Sequence, residues 1–171
     1  MKDSYKESFE KTKKAGEIAA GALDEVAKII KPGIQTDAID KLCYEYIKDC
    51  GAYSAPLFYR GFPKSCCTST NHIVCHGIPS EKVLKEGDIV NVDVTAFKDG
   101  WHGDTSRTFE IGEVSIKAKK LVKTTYDAMM KAIKIVKEDI HLGDIGATIQ
   151  NHVEAEGLSL IHISEPTRQL C

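Results

Sequence analysis

The chain has 171 residues, of which 42% are hydrophobic and 28% charged, enough for a real core and far from the composition of a disordered segment. With 23 basic against 25 acidic residues and a formal charge of -2, no overall field calls for nucleic acid or an anionic membrane, so function must lie in local sites. The start, MKDSYKESFEKTKKAG, is charged where a secretory signal would be apolar, and no apolar run nears the roughly 18 residues of a membrane span; the expected compartment is the cytosol.

In chain order, the first expected helix runs from about Ser4 to Ile30, with Phe9, Ala15, Ile18, Ala19, Leu23, Val26 and Ile30 near helical spacing. Lys31-Pro32-Gly33 ends it. A second helix follows from about Thr36 to Asp49, with Ile39, Leu42, Cys43, Tyr46 and Ile47 on one face and Gly51 as its stop. From Ala52 to Pro79 the pattern is short and turn-rich, with strand-like pieces near Cys66 to Thr70 and Ile73 to His76. Two cleaner strands come next, Asp88 to Phe97 and Trp101 to Ile111, joined by the hairpin signal Lys98-Asp99-Gly100. A further helix pair is expected over Ser115 to Lys137 and Gly143 to Glu156.

That last pair exposes an internal repeat. Residues 27 to 51 align with residues 133 to 157 at a constant offset of 106, matching Lys28, Ile29, Lys31, Ile34, Ile39 and Gly51 to Lys134, Ile135, Lys137, Ile140, Ile145 and Gly157. Periodic apolar spacing produces some such matches by itself; a duplication would give one helix-helix-sheet unit and the opening of a second.

The six cysteines, at 43, 50, 66, 67, 75 and 171, read as reduced residues that pack or line a pocket, because no C-x-x-C pair occurs and adjacent Cys66 and Cys67 bridge poorly.

The hairpin raises the chemical question. A two-residue turn at Asp99-Gly100 pairs positions summing to 199, so Asp93 faces Ser106, diagonal to Asp104, with both carboxylates on one face. A three-residue loop would need a bulge to do the same. On an apolar, valine-lined face the two would raise each other's pKa unless a cation neutralised them, as a hard divalent ion does. The alternative is two solvated aspartates on an exposed face. A second stretch, YRGFPKSCCTSTNHIVCHGIP from Tyr59 to Pro79, presents His76 between glycine and proline turn chemistry, placed to reach a substrate.

Together, KSCCTSTNHIVCHGIP and GDIVNVDVTAFKDGWHGDTSRTF closely resemble the type I methionine aminopeptidases, over about residues 8 to 157. The resemblance implies an α/β pita-bread fold, two halves about a pseudo-twofold axis, here the N-terminal half plus the first helices of the second repeat. It implies removal of the initiator methionine from new polypeptides at a dinuclear divalent-metal site of cobalt, manganese, iron or zinc. By motif position Asp93 resembles the bidentate metal ligand, Asp104 the carboxylate bridging both metals, and His76 the histidine that hydrogen-bonds substrate. Tyr59, Phe62 and Cys67 correspond to part of the methionine pocket, and Asn71 lies beside a monovalent-cation site; Pro56 and His72 occupy positions where the family often carries other residues. The implied partners are nascent polypeptide N-termini and the ribosome, and the full-length protein is expected to be a monomer.

The chain also departs from that family. Beyond Gly157 the family continues with a histidine ligand in a Gly-His-Gly-Ile-Gly type segment and two later glutamate ligands, none of which is present. His162 and Glu165 match neither ligand motif. Leu158 to Arg168, LSLIHISEPTR, equals the translation of a common transposase sequencing adapter. The expectation is therefore a catalytic-domain portion at 1–157, a non-native tail at 158–171, no activity from this chain alone, and an apolar face left uncovered. Competing readings are a proline-specific peptidase of the same fold and a metal-free pita-bread binding protein. The Cys75-His76-Gly77-Ile78-Pro79 run argues against the first, and retention of Asp93 and Asp104 against the second.

Overall fold

The structure is a computed structural model that describes residues 2–160; His162, Glu165 and all but the first three residues of the 158–171 tail lie outside the described residues. The described residues fall into two compact units, divided between Ser115 and Ile116.

In the first unit, helix α1 (Lys2–Ile29) and helix α2 (Thr36–Asp49) cover one face of a four-stranded antiparallel sheet. The buried stripe of α1 is Ala15, Ile18, Ala19, Ala22, Leu23 and Val26, and that of α2 is Ile39, Cys43 and Ile47, the spacing an amphipathic helix needs. Phe9 is not part of it: its side chain is 57% exposed, because α1 meets the core only from Ala15 onward. The connection at Gly33 adopts φ +93, open to glycine at no steric cost.

The sheet consists of β1 (Tyr53–Ser54), β2 (Cys67–Thr70), β3 (Ile89–Lys98) and β4 (Trp101–Glu110). β3 is central: β4 pairs along one edge, while β2 (against Val90–Asp93) and β1 (against Ala96 and Phe97) share the other. The β3–β4 connection is the two-residue turn, with Asp99 and Gly100 both at positive φ as a type I′ turn requires and Lys98 opposite Trp101. Ile73–His76 is not a strand. Ile73 N–H turns back to Thr70 O, and Asn71 and His76 both take positive φ, so the segment has no ladder to join.

Val90, Val92, Val94 and Ala96 project from β3 into the core and are fully buried. On β4 the same face carries Gly103, where a Cβ would strike the backbone of Ala15 and Gly16 on α1. That missing side chain lets the helix backbone lie directly on the strand, and Arg107 further along the strand reaches Asp24 of α1 at 2.9 Å.

The second unit is a helix pair, α3 (Ile116–Ile135) and α4 (Leu142–Ala155), closed by Thr124, Ala128, Ala132 and Val153. It repeats the first pair's boundaries: α1 and α3 end at Ile29 and Ile135, and α2 and α4 span 36–49 and 142–155, each offset by 106. Gln35 and His141 enter the second helices with the same extended backbone, and Gly51 and Gly157 follow them at φ 63 and 72. Tyr126, Met129, Ile133 and Val136 lie exposed at helical spacing along and just beyond α3.

The contact at Gly103 predicts that Gly103→Ala lowers stability by about 1–3 kcal/mol through overpacking. Urea denaturation of the 171-residue chain checks this, and an unchanged midpoint would contradict the close approach.

Candidate metal centre

Within β3 the side chains alternate, so the faces of the sheet differ. The valines point to the helices, and Asp93 rises from the opposite face with Asn91 and Thr95. The carboxylates therefore do not share a valine-lined face: because strand side chains have a period of two, odd-numbered Asp93 cannot stand beside even-numbered valines. Its neighbours are polar. Ser106 is directly across from Asp93, Asp104 across from Thr95, and Cys67 across from Asp93 on the other edge.

Asp93 is half-buried and Asp104 exposed. Burial pushes the Asp93 carboxyl above its ordinary value, the adjacent Asp104 charge and a hydrogen bond with Asp104 push it further, and His76 opposes the shift. Among the described residues no lysine or arginine forms an ion pair with either aspartate. Asp104 Oδ1 instead accepts the Thr95 hydroxyl at 2.8 Å. Nearby, Asn91 Nδ2 donates to Ser106 Oγ and Thr108 Oγ1 at 3.3 and 3.2 Å, fixing the rest of the polar face.

His76 reaches the pair from the loop after β2. Its backbone is left-handed, φ 53, a conformation costing a non-glycine residue about 1–3 kcal/mol. Gly77 stabilises it: Thr68 N–H donates to Gly77 O at 2.8 Å, Gly77 N–H donates to Ser69 Oγ at 3.1 Å, and a Cβ on Gly77 would strike Thr68 O. The exposed imidazole thus stands where it acts on the Asp93 carboxylate.

Cys67 belongs to the same group. Burial and then the charges of Asp93, Cys75 and Asp104 push its thiol up to about 11, so it is neutral at physiological pH. Tyr59 and Phe62 lie on the loop that leaves the sheet at Ala55 and returns at Cys67. The loop starts beside the carboxylates, since Ala55 N–H donates to Thr95 O at 2.9 Å. Tyr59 is exposed and Phe62 half-buried. Asn71 stands apart at the end of β2, where its side chain is committed: Nδ2 donates to Asp88 Oδ1 at 2.9 Å and Oδ1 accepts Ile89 N–H at 3.0 Å. Sequence reasoning singled out neither Thr95 nor Ser69. Thr95 was legible, since the register summing to 199 sets it opposite Asp104; Ser69 was not, because its role depends on how the following loop folds back.

Residues 10–166 match the model of metallopeptidase family M24. The chain belongs to that family. It is 50% identical over 161 residues to the methionine aminopeptidase of Rickettsia prowazekii, covering 94% of this chain and 62% of that protein, so it spans under two thirds of that relative's length. The crystal structure of the Rickettsia prowazekii enzyme superposes with a TM-score of 0.89 over 91% of this chain and 63% of that one. The prolidase of Pyrococcus furiosus, 22% identical with a TM-score of 0.77 over 89% of this chain and 44% of its own, shares the fold. The architecture is thus that of the pita-bread proteins, as expected from the sequence.

Membership of the M24 metallopeptidases implies use of divalent metal. Asp93 and Asp104 fit such an ion in kind: two oxygen donors, close together, one half-buried and held at a raised pKa, with no lysine or arginine ion pair among the described residues. They fall short in number, for among the described residues no group of three or more His, Cys, Asp or Glu is arranged to hold a metal ion.

The direction of the Asp93 shift sets a pH signature for the metal-free chain. A carboxyl that holds its proton more tightly when folded than its ordinary 3.8 destabilises the fold once ionised; the penalty is complete above the folded pKa and vanishes below the unfolded one. Asp93→Asn therefore raises the urea midpoint at neutral pH, and the gain fades to nothing as pH falls below 3.8. A gain independent of pH would contradict this.

Proposed function

We propose that the chain carries the first carboxylate side of a methionine aminopeptidase active site, acting on the initiator methionine of new polypeptides in the cytosol. The observation that supports this most is the placement of Asp93 and Asp104 side by side on one face of the β3–β4 hairpin, with the charge of His76 acting on Asp93. The 50% identity to a methionine aminopeptidase along nearly the whole chain supports it over the proline-specific alternative, whose likeness lies in fold alone. Among the described residues no helix is long and apolar enough to cross a membrane.

In this reading two divalent cations, of cobalt, manganese, iron or zinc, would, when bound, supply Lewis-acid activation of water and of the scissile carbonyl. The chain's own residues do the rest. Asp93 and Asp104 would hold the cations. His76, on its strained loop, donates a hydrogen bond toward the substrate carbonyl. Cys67, kept as a neutral thiol, joins Tyr59 and Phe62 in an apolar wall that accepts a methionine side chain by shape. Asn71 borders a monovalent-cation position through its backbone, its side chain being engaged. The catalytic-domain portion covers residues 1–157.

Among the described residues two carboxylates and a histidine do not complete such a site, so the 171-residue chain by itself is expected to give no turnover. Incubation with a methionyl peptide and cobalt or manganese is expected to release no methionine; substantial release would contradict the assignment of only part of the site to this chain. A chimera tests the activity itself, with residues 8–157 replacing the matching segment of the Rickettsia prowazekii enzyme. It should release methionine from the same peptide, and Asp104→Asn in the chimera should lower turnover by more than about 100-fold, since even residues behind metal ligands are worth 10–100-fold. A folded chimera without activity, or one indifferent to Asp104→Asn, would overturn the proposal.

A further inference from the structure

Thr95 stands two residues beyond Asp93 on β3, so both side chains rise from one face. It is directly across from Asp104 in the register. An exposed aspartate has freedom about χ1 and χ2, and a carboxylate that must meet a cation loses affinity for every misdirected rotamer. Threonine is the opposite kind of residue: branched at Cβ, it is stiff at χ1, so its hydroxyl is a fixed donor. That donor meets Asp104 Oδ1 at 2.8 Å. With Oδ1 tethered, the carboxylate is held in one orientation while it remains beside Asp93.

The same residue acts through its backbone. Along the outer edge of β3, β2 pairs as far as Asp93 and β1 begins at Ala96. Thr95 lies in the gap, and its carbonyl accepts the Ala55 N–H at 2.9 Å. This is the root of the loop that carries Tyr59 and Phe62 and rejoins the sheet at Cys67, opposite Asp93. One residue therefore ties the carboxylate pair to the start of the aromatic loop.

We propose that Thr95 is a positioning residue whose hydroxyl orients the Asp104 carboxylate for cation capture. The inference rests on the reading of Asp93 and Asp104 as cation ligands. It makes separate use of side chain and backbone: removing the hydroxyl frees Asp104 but leaves the Ala55 hydrogen bond in place.

The test uses the 171-residue chain labelled with nitrogen-15, titrated with manganese chloride and followed by paramagnetic broadening of the amide signals. In the parent chain, broadening should centre on Asp93 and Asp104. Thr95→Val, which keeps the side-chain volume, and Thr95→Ala, which does not, should both require about tenfold more manganese for the same broadening, the lower end of what residues behind metal ligands contribute. Thr95→Ser should stay near the parent. Unmoved signals for Val90 and Val92 report an intact sheet, and an unmoved Ala55 amide reports an intact loop root. Equal manganese requirement in Thr95→Val and the parent would overturn the inference, as would a Thr95→Ser chain as weak as Thr95→Val. Failure of the ligand reading itself is distinguishable: the parent would show no broadening centred on the pair, before any variant is made, and the role of Thr95 would fall with it.

Discussion

The electrostatic cost of two carboxylates on one hairpin governs the rest of the site. Asp93 and Asp104 are brought together by a register that the Asp99-Gly100 turn imposes, and the core fixes that register because a one-residue slip would send Val90, Val92 and Val94 into solvent. The fold thus drives like charges together through apolar burial on the far side of the same strand. What the described residues provide against the repulsion is small: the Thr95 hydroxyl on Asp104, and the imidazole of His76 and the Val94 backbone N–H on Asp93. Burial and mutual repulsion still leave Asp93 with a raised pKa. A divalent cation is the compensation such an arrangement is suited to, which agrees with membership of a metallopeptidase family.

Around that pair the fold layers its supports by stiffness. Gly103 lets α1 lie on β4 behind Asp104, so the hairpin has a rigid backing. Ser69 and Gly77 hold His76 in a backbone conformation it would not adopt alone. The split in the outer edge of β3 opens room for the loop bearing Tyr59 and Phe62 between Ala55 and Cys67, so aromatic side chains originate beside the carboxylates without interrupting the strand that carries Asp93.

Much of this was legible in the sequence where the determining physics is local. Helix α2 occupies the expected Thr36–Asp49, since its apolar spacing and Gly51 stop lie within a few residues. The hairpin register follows from two turn residues, and with it the placement of Asp93, Asp104 and even Thr95. The repeat of helix boundaries at an offset of 106 was visible as matched isoleucines and glycines. Elsewhere the determining contacts are distant in the chain. Phe9 fits the α1 period yet lies beyond the reach of the sheet, and Ile73–His76 looks strand-like until Ser69 and Thr68 bind Gly77. The valine face was misassigned for a different reason: the alternation was in the sequence, but it separates Asp93 from the valines.

We propose that the Asp93–Asp104 pair holds a divalent cation. Thermal unfolding of the 171-residue chain with and without manganese tests it directly, because a cation that binds only the folded state raises the transition temperature. The account predicts a rise that grows with manganese concentration in the parent chain and disappears in the Asp93→Asn, Asp104→Asn double variant. An equal rise in both, or none in the parent, would contradict it.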